Sequence, residues 1–254
     1  MFLNKLKRKL QSGDVALGTL MATATPEFVE ILGISGFDFV VIDTEHGSMP
    51  VEKTTNLIRA AELKGITPIT RIRENDETII LRTLDVGTHG IQIPQINTKI
   101  DAHKAVEWSK YFPVGKRGVA IPRVIDFGMT DLNDAFRQCN QESMIIAHCE
   151  SKEGYENLDD ILKIPEIDVI FLGPYDMTQS LGIPGQFDHP IILEIEEAVV
   201  RKSKEAGKAA GIFVADAAQA KIRAKQGYQY ITIQMFETLV AKACKATIDE
   251  FHQN

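Results

Sequence analysis

The feature that most constrains the fold is a repeated alternation of short apolar runs with longer amphipathic stretches. Eight runs are rich in Val, Ile, Leu and Ala, which is typical of parallel strands buried on both faces. These predicted strands are Ala16–Met21, Phe37–Ile42, Thr67–Ile72, Gly90–Ile93, Met144–Cys149, Val169–Leu172, Ala209–Phe213 and Tyr230–Ile233. Such a series predicts a parallel sheet whose strands are joined by helices.

The stretches between these runs place apolar residues three and four positions apart, which predicts helices. The predicted helices are Pro26–Leu32, Val51–Leu63, a helix capped at Asn75-Asp76 that runs to Asp85, Lys99–Trp108, Thr130–Asn140, Leu158–Ile164, Ile191–Ala206, Ala217–Lys225 and Glu237–His252. Residues 1–10 alternate apolar with basic side chains. That pattern predicts a short amphipathic helix lying against the fold, with a targeting peptide as the alternative.

Eight strands alternating with helices over 254 residues predict an α/β fold, a (β/α)8 TIM barrel, as one domain spanning residues 1–254. A doubly wound sheet is the alternative. That fold usually carries a Gly-rich phosphate turn after its first strand, and the chain has neither a GxGxxG nor a P-loop pattern. The barrel is therefore the favoured prediction.

Composition excludes several classes of function. A formal net charge of −7 lacks the basic footprint of a nucleic-acid binder. No apolar run approaches the roughly 20 residues of a membrane helix. The three cysteines, Cys139, Cys149 and Cys244, form no CxxC pair. We therefore expect neither a disulfide framework nor a zinc finger, and a cytoplasmic protein that binds neither nucleic acid nor membrane.

Polar side chains follow five of the predicted strands, at the end of the barrel where such enzymes carry their chemistry. In strand order they are Asp43, Glu45 and His46; Arg71; Pro94-Gln95; His148 and Glu150; and Gly173-Pro174-Tyr175-Asp176.

Glu150 and Asp176 come from adjacent strand ends. Two carboxylates without a cysteine favour a hard divalent cation, Mg²⁺, Mn²⁺ or Co²⁺, with open positions. A structural ion pair or a helix cap is the alternative for Asp176.

Two further side chains and one turn each have a functional and a structural interpretation. Arg71 is a candidate anion clamp, or else a salt-bridge partner of Asp43 or Glu45. His46 is a candidate general base, or else a structural loop histidine. The turn beginning at Gly173 lets backbone N–H groups approach a carboxylate, or is an ordinary connection between a strand and a helix.

Two other catalytic mechanisms are disfavoured by residues that the chain lacks. A Schiff-base aldolase needs a lysine inside the barrel, and none of the predicted strands contains one. Lys152, two residues beyond Glu150, is expected outside the ring. The Gly-x-Ser-x-Gly elbow of a serine hydrolase is also absent.

Four motifs in order give the chain a resemblance to the HpcH/HpaI aldolase family, the class II pyruvate aldolases that cleave 4-hydroxy-2-oxo acids. The motifs are Phe37–His46, Leu84–Gly87, Tyr111–Gly118 and Gly173–Thr178. The resemblance covers nearly the whole chain. It implies a homo-oligomer, often a hexamer or trimer of dimers, in which the last helix is exchanged between subunits.

The same resemblance implies roles for the polar residues. Glu150 and Asp176 would bind the metal, Arg71 would lie near the keto oxygen, and His46 and Asp43 would form a dyad for proton transfer. Asp85, in the second motif, would also be catalytic. Gly173, Pro174, Tyr175 and Asp176 would bind substrate, with backbone N–H groups of this segment holding the carboxylate of pyruvate.

The chain departs from the family pattern at three places. His148 stands where Gln is common, Gln234-Met235-Phe236 where Gly-Val-Asp is common, and Leu20 where Trp is common. By strand alternation His148 points into the barrel with Glu150, where it would contact substrate, a metal-bound water or the metal.

The expected activity is cleavage of a 4-hydroxy-2-oxo acid, of the 4-hydroxy-2-oxoheptanedioate or 2-dehydro-3-deoxyglucarate type, to pyruvate and an aldehyde. The alternatives are an acyl-CoA lyase of the citrate lyase or malyl-CoA type and a non-catalytic barrel that binds a keto acid. No segment follows the last predicted helix to cover a CoA tail, which favours the free acid.

Overall fold

Eight parallel strands close into a barrel in the computed structural model, which describes residues 3–253. Each strand pairs with the next in the sequence, and the last pairs with the first. The strands are β1 (Ala16–Met21), β2 (Phe39–Asp43), β3 (Thr67–Arg71), β4 (Gly90–Ile93), β5 (Met144–Cys149), β6 (Val169–Leu172), β7 (Ala209–Val214) and β8 (Tyr230–Met235). The predicted (β/α)8 TIM barrel is confirmed.

Helices lie between successive strands and surround the ring. They are α1 (Lys5–Gln11), α2 (Pro26–Ile34), α3 (Val51–Lys64), α4 (Glu77–Asp85), α5 (Lys99–Ser109), α6 (Leu132–Glu142), α7 (Lys152–Glu156), α8 (Leu158–Leu162), α9 (Pro174–Ser180), α10 (Pro190–Glu205), α11 (Ala217–Gln226) and α12 (Phe236–His252). A short 3-10 segment, Arg123–Gly128, precedes α6. The predicted cap of α4 is confirmed, because the Asp76 side chain accepts from the N–H of Ile79.

The barrel interior is a packed core and not a channel. Phe39, Phe171 and Tyr230 fill it, and the rings of Phe39 and Tyr230 stack with centroids 4.3 Å apart. The predicted N-terminal helix is confirmed as α1, although residues 1 and 2 of that prediction lie outside the described residues. Leu6 and Leu10 of α1 join the interior cluster and close the end of the barrel where the strands begin.

Two predicted elements differ from the structure. The segment that follows β6, expected to be a tight turn, begins a helix, α9, with Pro174 in its first turn. Proline suits that place because the first N–H groups of a helix have no partner within it. The predicted helix Leu158–Ile164 is present as α8, which ends two residues earlier, and it is preceded by a short helix that was not predicted, α7, with Asn157 as the boundary between the two.

The last helix packs against the rest of the chain over a small part of its surface. Within α12 only Phe236 is buried, whereas Ile248 and Phe251 are 56% and 79% exposed. Exchange of this helix between subunits stays a prediction. None of the helices within residues 3–253 is long and apolar enough to cross a membrane.

Candidate active site

The polar residues predicted from strand ends gather at one end of the barrel because all eight strands run in the same direction. The register pairs Asp43 at the end of β2 with Arg71 at the end of β3. On the other side of this end, His148 and Cys149 of β5 pair with Phe171 and Leu172 of β6. Glu150 follows β5 directly. This end of the barrel, where the strands terminate, is called the mouth below.

Arg71 is held by two acids at the mouth. Its Nε and Nη2 atoms donate to the two carboxylate oxygens of Asp43 at 2.9 and 2.7 Å, and its Nη1 atom lies 3.1 Å from Glu45 Oε2. The Asp43 side chain is fully buried. Burial raises the pKa of the Glu45 carboxyl despite the Arg71 charge. Both the salt bridges weighed from the sequence are present, so Arg71 has a structural role that any anion-binding role would add to.

His46 does not form the expected dyad with Asp43. The Asp43 carboxylate is occupied by Arg71, and it meets His46 only at the backbone N–H, 3.4 Å from Oδ1. The acid beside the imidazole is Glu45, whose Oε2 lies 3.7 Å from His46 Nε2. The His46 side chain is 66% exposed, so it is open to a substrate or a water from the mouth.

Glu150 is a buried carboxylate held at both oxygens. Its Oε1 atom accepts from the backbone N–H of Gln95 at 2.8 Å, and its Oε2 atom lies 2.7 Å from His148 Nδ1. Burial alone would raise the pKa of Glu150, but His148, the Gln95 N–H and the Arg71 charge together hold that pKa below its ordinary value. Glu150 is therefore ionised and carries a negative charge at the mouth.

The Gln95 N–H reaches Glu150 through an unusual backbone. Gln95 has a φ of 54°, in the left-handed region that residues other than glycine rarely adopt. Such strain is typical of sites where the surrounding structure holds a group in place for function. No sequence signal marks this conformation, and the Gln95 N–H was not among the predicted site groups.

Gly173, at the start of the segment that runs to Asp176, lies against Glu150. A Cβ atom on Gly173 would come within 2.8 Å of Glu150 Oε2, so any other residue at position 173 would displace the Glu150 carboxylate. Pro174 is buried and Tyr175 is exposed, with its ring 4.8 Å from that of Phe187. Asp176 is exposed in the first turn of α9, and no hydrogen bond or ion pair of its side chain is present among residues 3–253.

The donor chemistry of this corner fits a hard divalent cation that keeps open positions. Glu150 is ionised, and Asp176 is a second carboxylate from the next strand end without a protein partner among the described residues. Within residues 3–253 no group of three or more His, Cys, Asp or Glu side chains is placed to hold a metal. A closed structural metal site is therefore not formed by this part of the chain.

Asp85 lies apart from these residues. It is the last residue of α4, and that helix runs from the mouth back to the end of the barrel where the strands begin. Its carboxylate pairs there with Arg117 at 2.7 Å. Any catalytic role for Asp85 would thus have to be exerted on the mouth of another copy of the chain.

Two cavities lie at the end of the barrel opposite the mouth. One of about 510 Å³ is lined by Glu62, His89 and Arg123, and another of about 750 Å³ is lined by Lys7, Asp168 and Lys208. Neither includes a predicted site residue. In (β/α)8 enzymes the chemistry lies at the carboxyl ends of the strands, so the mouth is the better candidate despite these cavities.

Two buried polar residues inside the barrel were missed from the sequence. Gln92 on β4 and Tyr230 on β8 connect to His148, as described below. A glutamine within an otherwise apolar strand was the available signal, because a buried amide is costly unless hydrogen-bonded.

Comparison with known proteins places this geometry in a family. The model of the HpcH/HpaI aldolase/citrate lyase family matches residues 17–243. A 2-keto-3-deoxy-L-rhamnonate aldolase of Salmonella gallinarum is 31% identical over 250 residues, which cover 98% of this chain and 93% of the relative.

Solved structures agree with this assignment. An HpcH/HpaI aldolase from Desulfitobacterium hafniense superposes with a TM-score of 0.92 at 28% identity, covering 100% of this chain and 98% of that one. The citrate synthase SbnG superposes with a TM-score of 0.88 at 30% identity, covering 98% of this chain and 97% of that one.

Proposed function

The chain belongs to the HpcH/HpaI aldolase/citrate lyase family, and we propose that it is a class II pyruvate aldolase dependent on a divalent metal. The family and the curated relatives support an aldolase, that is, a carbon–carbon lyase. The metal, the substrate and the residue roles below are our proposal.

One observation carries this proposal: a buried, ionised carboxylate, Glu150, at the barrel mouth beside a glycine backbone. Removing a charge from water is costly unless it is paired, and the hydrogen bonds of Glu150 to Gln95 and His148 use only one lone pair on each of its oxygens. Asp176 supplies the second carboxylate. Mg²⁺, Mn²⁺ or Co²⁺ bound by Glu150 and Asp176 would act as a Lewis acid toward the keto acid.

The rest of the site would bind and orient a 2-keto acid. The backbone N–H groups of Tyr175 and Asp176, in the first turn of α9, have no partner within that helix and would receive the carboxylate. The Arg71 guanidinium, fixed by Asp43 and Glu45, would lie near the 2-keto oxygen. A guanidinium fixed in advance stabilises an oxyanion at little reorganisation cost.

Cleavage would start at the 4-hydroxyl group of the substrate. His46, directly or through a water, takes the hydroxyl proton, and Glu45 lies where it can stabilise the imidazolium that forms. The C3–C4 bond breaks, the aldehyde leaves, and the electron pair remains as the pyruvate enolate, whose negative charge Arg71 offsets. A proton delivered to C3 completes pyruvate.

The proposed substrates are 4-hydroxy-2-oxo acids, including 2-keto-3-deoxy-L-rhamnonate, 4-hydroxy-2-oxoheptanedioate and 2-dehydro-3-deoxyglucarate. The first of these corresponds to the name of the Salmonella relative. The acyl-CoA alternative keeps a specific observation in its favour, since a citrate synthase shares the fold at 30% identity.

A direct assay separates these possibilities. Metal-stripped protein is incubated with each 4-hydroxy-2-oxo acid, with and without added Mg²⁺, Mn²⁺ or Co²⁺, and pyruvate is measured. In parallel, acetyl-CoA plus glyoxylate is tested for condensation. The proposal expects metal-dependent pyruvate release from at least one free acid. Full activity in the presence of a chelator, or turnover of the CoA ester alone, would refute it.

We also propose a homo-oligomer, a hexamer or trimer of dimers, in which Asp85 acts at the mouth of a neighbouring subunit. Its position at the far end of its own barrel leaves no other route to the chemistry. Mixed oligomers of Asp85→Asn and Glu150→Gln subunits test this. In such an oligomer, the mouth of an Asp85→Asn subunit keeps its own Glu150 and can receive an intact Asp85 from a neighbouring Glu150→Gln subunit. Activity should reappear on mixing; its absence in verified mixed oligomers would argue against the proposal.

A further inference from the structure

A chain of four buried side chains crosses the barrel interior from β8 to Glu150. Tyr230 Oη lies 3.0 Å from Gln92 Oε1, Gln92 Nε2 lies 2.7 Å from His148 Nε2, and His148 Nδ1 lies 2.7 Å from Glu150 Oε2. Tyr230 and Gln92 are fully buried, and His148 and Glu150 are 2% and 4% exposed. This chain of hydrogen bonds, Tyr230–Gln92–His148–Glu150, is called the relay below. We propose that the relay makes His148 a positioning residue that orients the Glu150 carboxylate, and not a metal ligand or a substrate contact.

The two ends of the relay determine which group donates and which accepts in each of its hydrogen bonds. At one end the Glu150 carboxylate can only accept, so His148 Nδ1 must carry a hydrogen. At the other end the Tyr230 hydroxyl keeps its proton, since burial raises its pKa well above the ordinary value, and that proton needs an acceptor. Its acceptor is Gln92 Oε1.

The middle of the relay is then determined. With its oxygen toward Tyr230, the Gln92 amide turns its NH₂ group toward His148 Nε2, which therefore accepts. Reversing Gln92 would leave the Tyr230 proton without this acceptor and would require a second hydrogen on the buried imidazole. The relay thus selects one tautomer of His148, with hydrogen on Nδ1 alone.

The ring plane of His148 is also fixed. It stacks on Phe171 with centroids 4.9 Å apart and an interplanar angle of 28°. Phe171 in turn meets the Tyr230 ring edge-on at 5.9 Å. With the plane set by stacking and both nitrogens engaged, His148 has no lone pair to offer a metal ion or a substrate.

Strand alternation predicts that His148 contacts substrate, a metal-bound water or the metal, whereas its hydrogen bonds point to Glu150 as its target. A group that orients a ligand from outside the coordination sphere typically contributes roughly 10-fold to 100-fold in metal affinity. A glutamine at position 148 would retain an N–H donor toward Glu150, whereas leucine would not. This inference rests on the proposed function for the role of Glu150, but the tautomer does not depend on a metal.

The tautomer is tested first, in metal-free protein, by ¹⁵N NMR of the histidine side chains. We expect a protonated Nδ1 and an unprotonated Nε2 for His148 in the wild-type protein. In Tyr230→Phe, Nδ1 should stay protonated against Glu150, while Gln92 becomes free to turn its oxygen toward His148, so that Nε2 gains a hydrogen in part of the molecules. Tyr228→Phe is the matched control, because that hydroxyl is equally buried but donates to the backbone carbonyl of Glu196. A hydrogen on Nε2 of His148 in the wild-type protein would overturn the relay.

The positioning role is tested by Mn²⁺ binding and by pulsed electron paramagnetic resonance. His148→Leu should weaken Mn²⁺ binding by roughly 10-fold to 100-fold, and His148→Gln should recover most of that loss. The wild-type spectrum should show no coupling to a directly bound ¹⁴N of imidazole. Such a coupling, or equal losses in both variants, would overturn the positioning role. A wild-type protein that binds no Mn²⁺ at all would instead refute the proposed function, with the tautomer result still standing.

Discussion

The Arg71→Met substitution should destabilise the fold as well as the chemistry. The guanidinium makes two hydrogen bonds of 2.9 and 2.7 Å to Asp43, whose side chain is 0% exposed, while Arg71 itself is 11% exposed. Removing one partner of such a pair leaves an uncompensated buried charge, which costs about 3–5 kcal/mol. Glu45 would lose its cation at 3.1 Å as well.

That loss is large against a total stability of about 5–15 kcal/mol. Each kcal/mol shifts the melting temperature of a chain of this size by roughly 2–4 °C, so Arg71→Met should lower it by about 6–20 °C. The assay is urea unfolding and thermal melting followed by circular dichroism. Arg201→Met is the control, because its partner Glu205 and Arg201 itself are 63% and 58% exposed. That surface pair is expected to contribute about 0–1 kcal/mol.

Two further measurements complete the test of Arg71. The double variant Asp43→Asn with Arg71→Met should recover much of the lost stability, because no buried charge at position 43 then lacks its partner. Activity, measured where all variants are folded, should fall on the order of 10²-fold or more in Arg71→Met, as for loss of an oxyanion donor. An Arg71→Met protein within about 1 kcal/mol of Arg201→Met would refute the buried-pair reasoning.

The remaining predictions concern Glu150 and Glu62. Gly173→Ala should weaken Mn²⁺ binding by roughly 10-fold or more in calorimetry, because its Cβ would lie 2.8 Å from Glu150 Oε2 while a φ of −93° tolerates alanine. Arg123 and His89 outweigh burial and lower the pKa of Glu62 from 4.5 to about 2. Ionised Glu62 thus stabilises the folded state at pH values above its unfolded pKa of about 4.5. This contribution to stability is lost as the pH falls from about 4.5 to about 2. Arg123→Gln should therefore lower the melting temperature at neutral pH, and the gap to wild type should narrow across that window.

The Gly173 prediction has a matched control, and the Gly173 and Glu62 predictions each have a contradicting outcome. Gly118→Ala, whose Cβ would meet Leu81 at an ordinary 3.4 Å, should leave Mn²⁺ binding unchanged. Equal binding by Gly173→Ala and wild type would show that Gly173 does not limit the position of Glu150. For Glu62, a melting-temperature gap between Arg123→Gln and wild type that stays constant from pH 5 to pH 2 would contradict the assigned pKa.

The barrel could be predicted because its strands are apolar on both faces and its helices are not. Four strands, Ala16–Met21, Gly90–Ile93, Met144–Cys149 and Val169–Leu172, match their predicted bounds. After β6, Gly173 and Pro174 predict a turn. Pro174 in the first turn of a helix follows an equally regular rule, which explains the missed helix α9.

The polar groups of the mouth could be predicted by position but not by pairing. The Asp43 carboxylate pairs with Arg71 and not with the His46 imidazole, because the register of β2 and β3 places Asp43 beside Arg71. The Gln95 N–H depends on a left-handed backbone at a residue other than glycine, which has no sequence signature. The relay through Gln92 and Tyr230 spans β4, β5 and β8, and contacts across a barrel interior cannot be inferred from spacing along the chain.

Exchange of the methyl protons of pyruvate with deuterium oxide tests the central claim most directly, because it needs no knowledge of the aldehyde. The proton is removed from C3 to form the same enolate that cleavage would produce. We expect exchange in wild-type protein with Mg²⁺ or Mn²⁺, and its loss on chelation and in Glu150→Gln and Asp176→Asn. Exchange that persists after complete metal removal, or that is unchanged in Glu150→Gln, would contradict a metal-dependent pyruvate aldolase centred on Glu150.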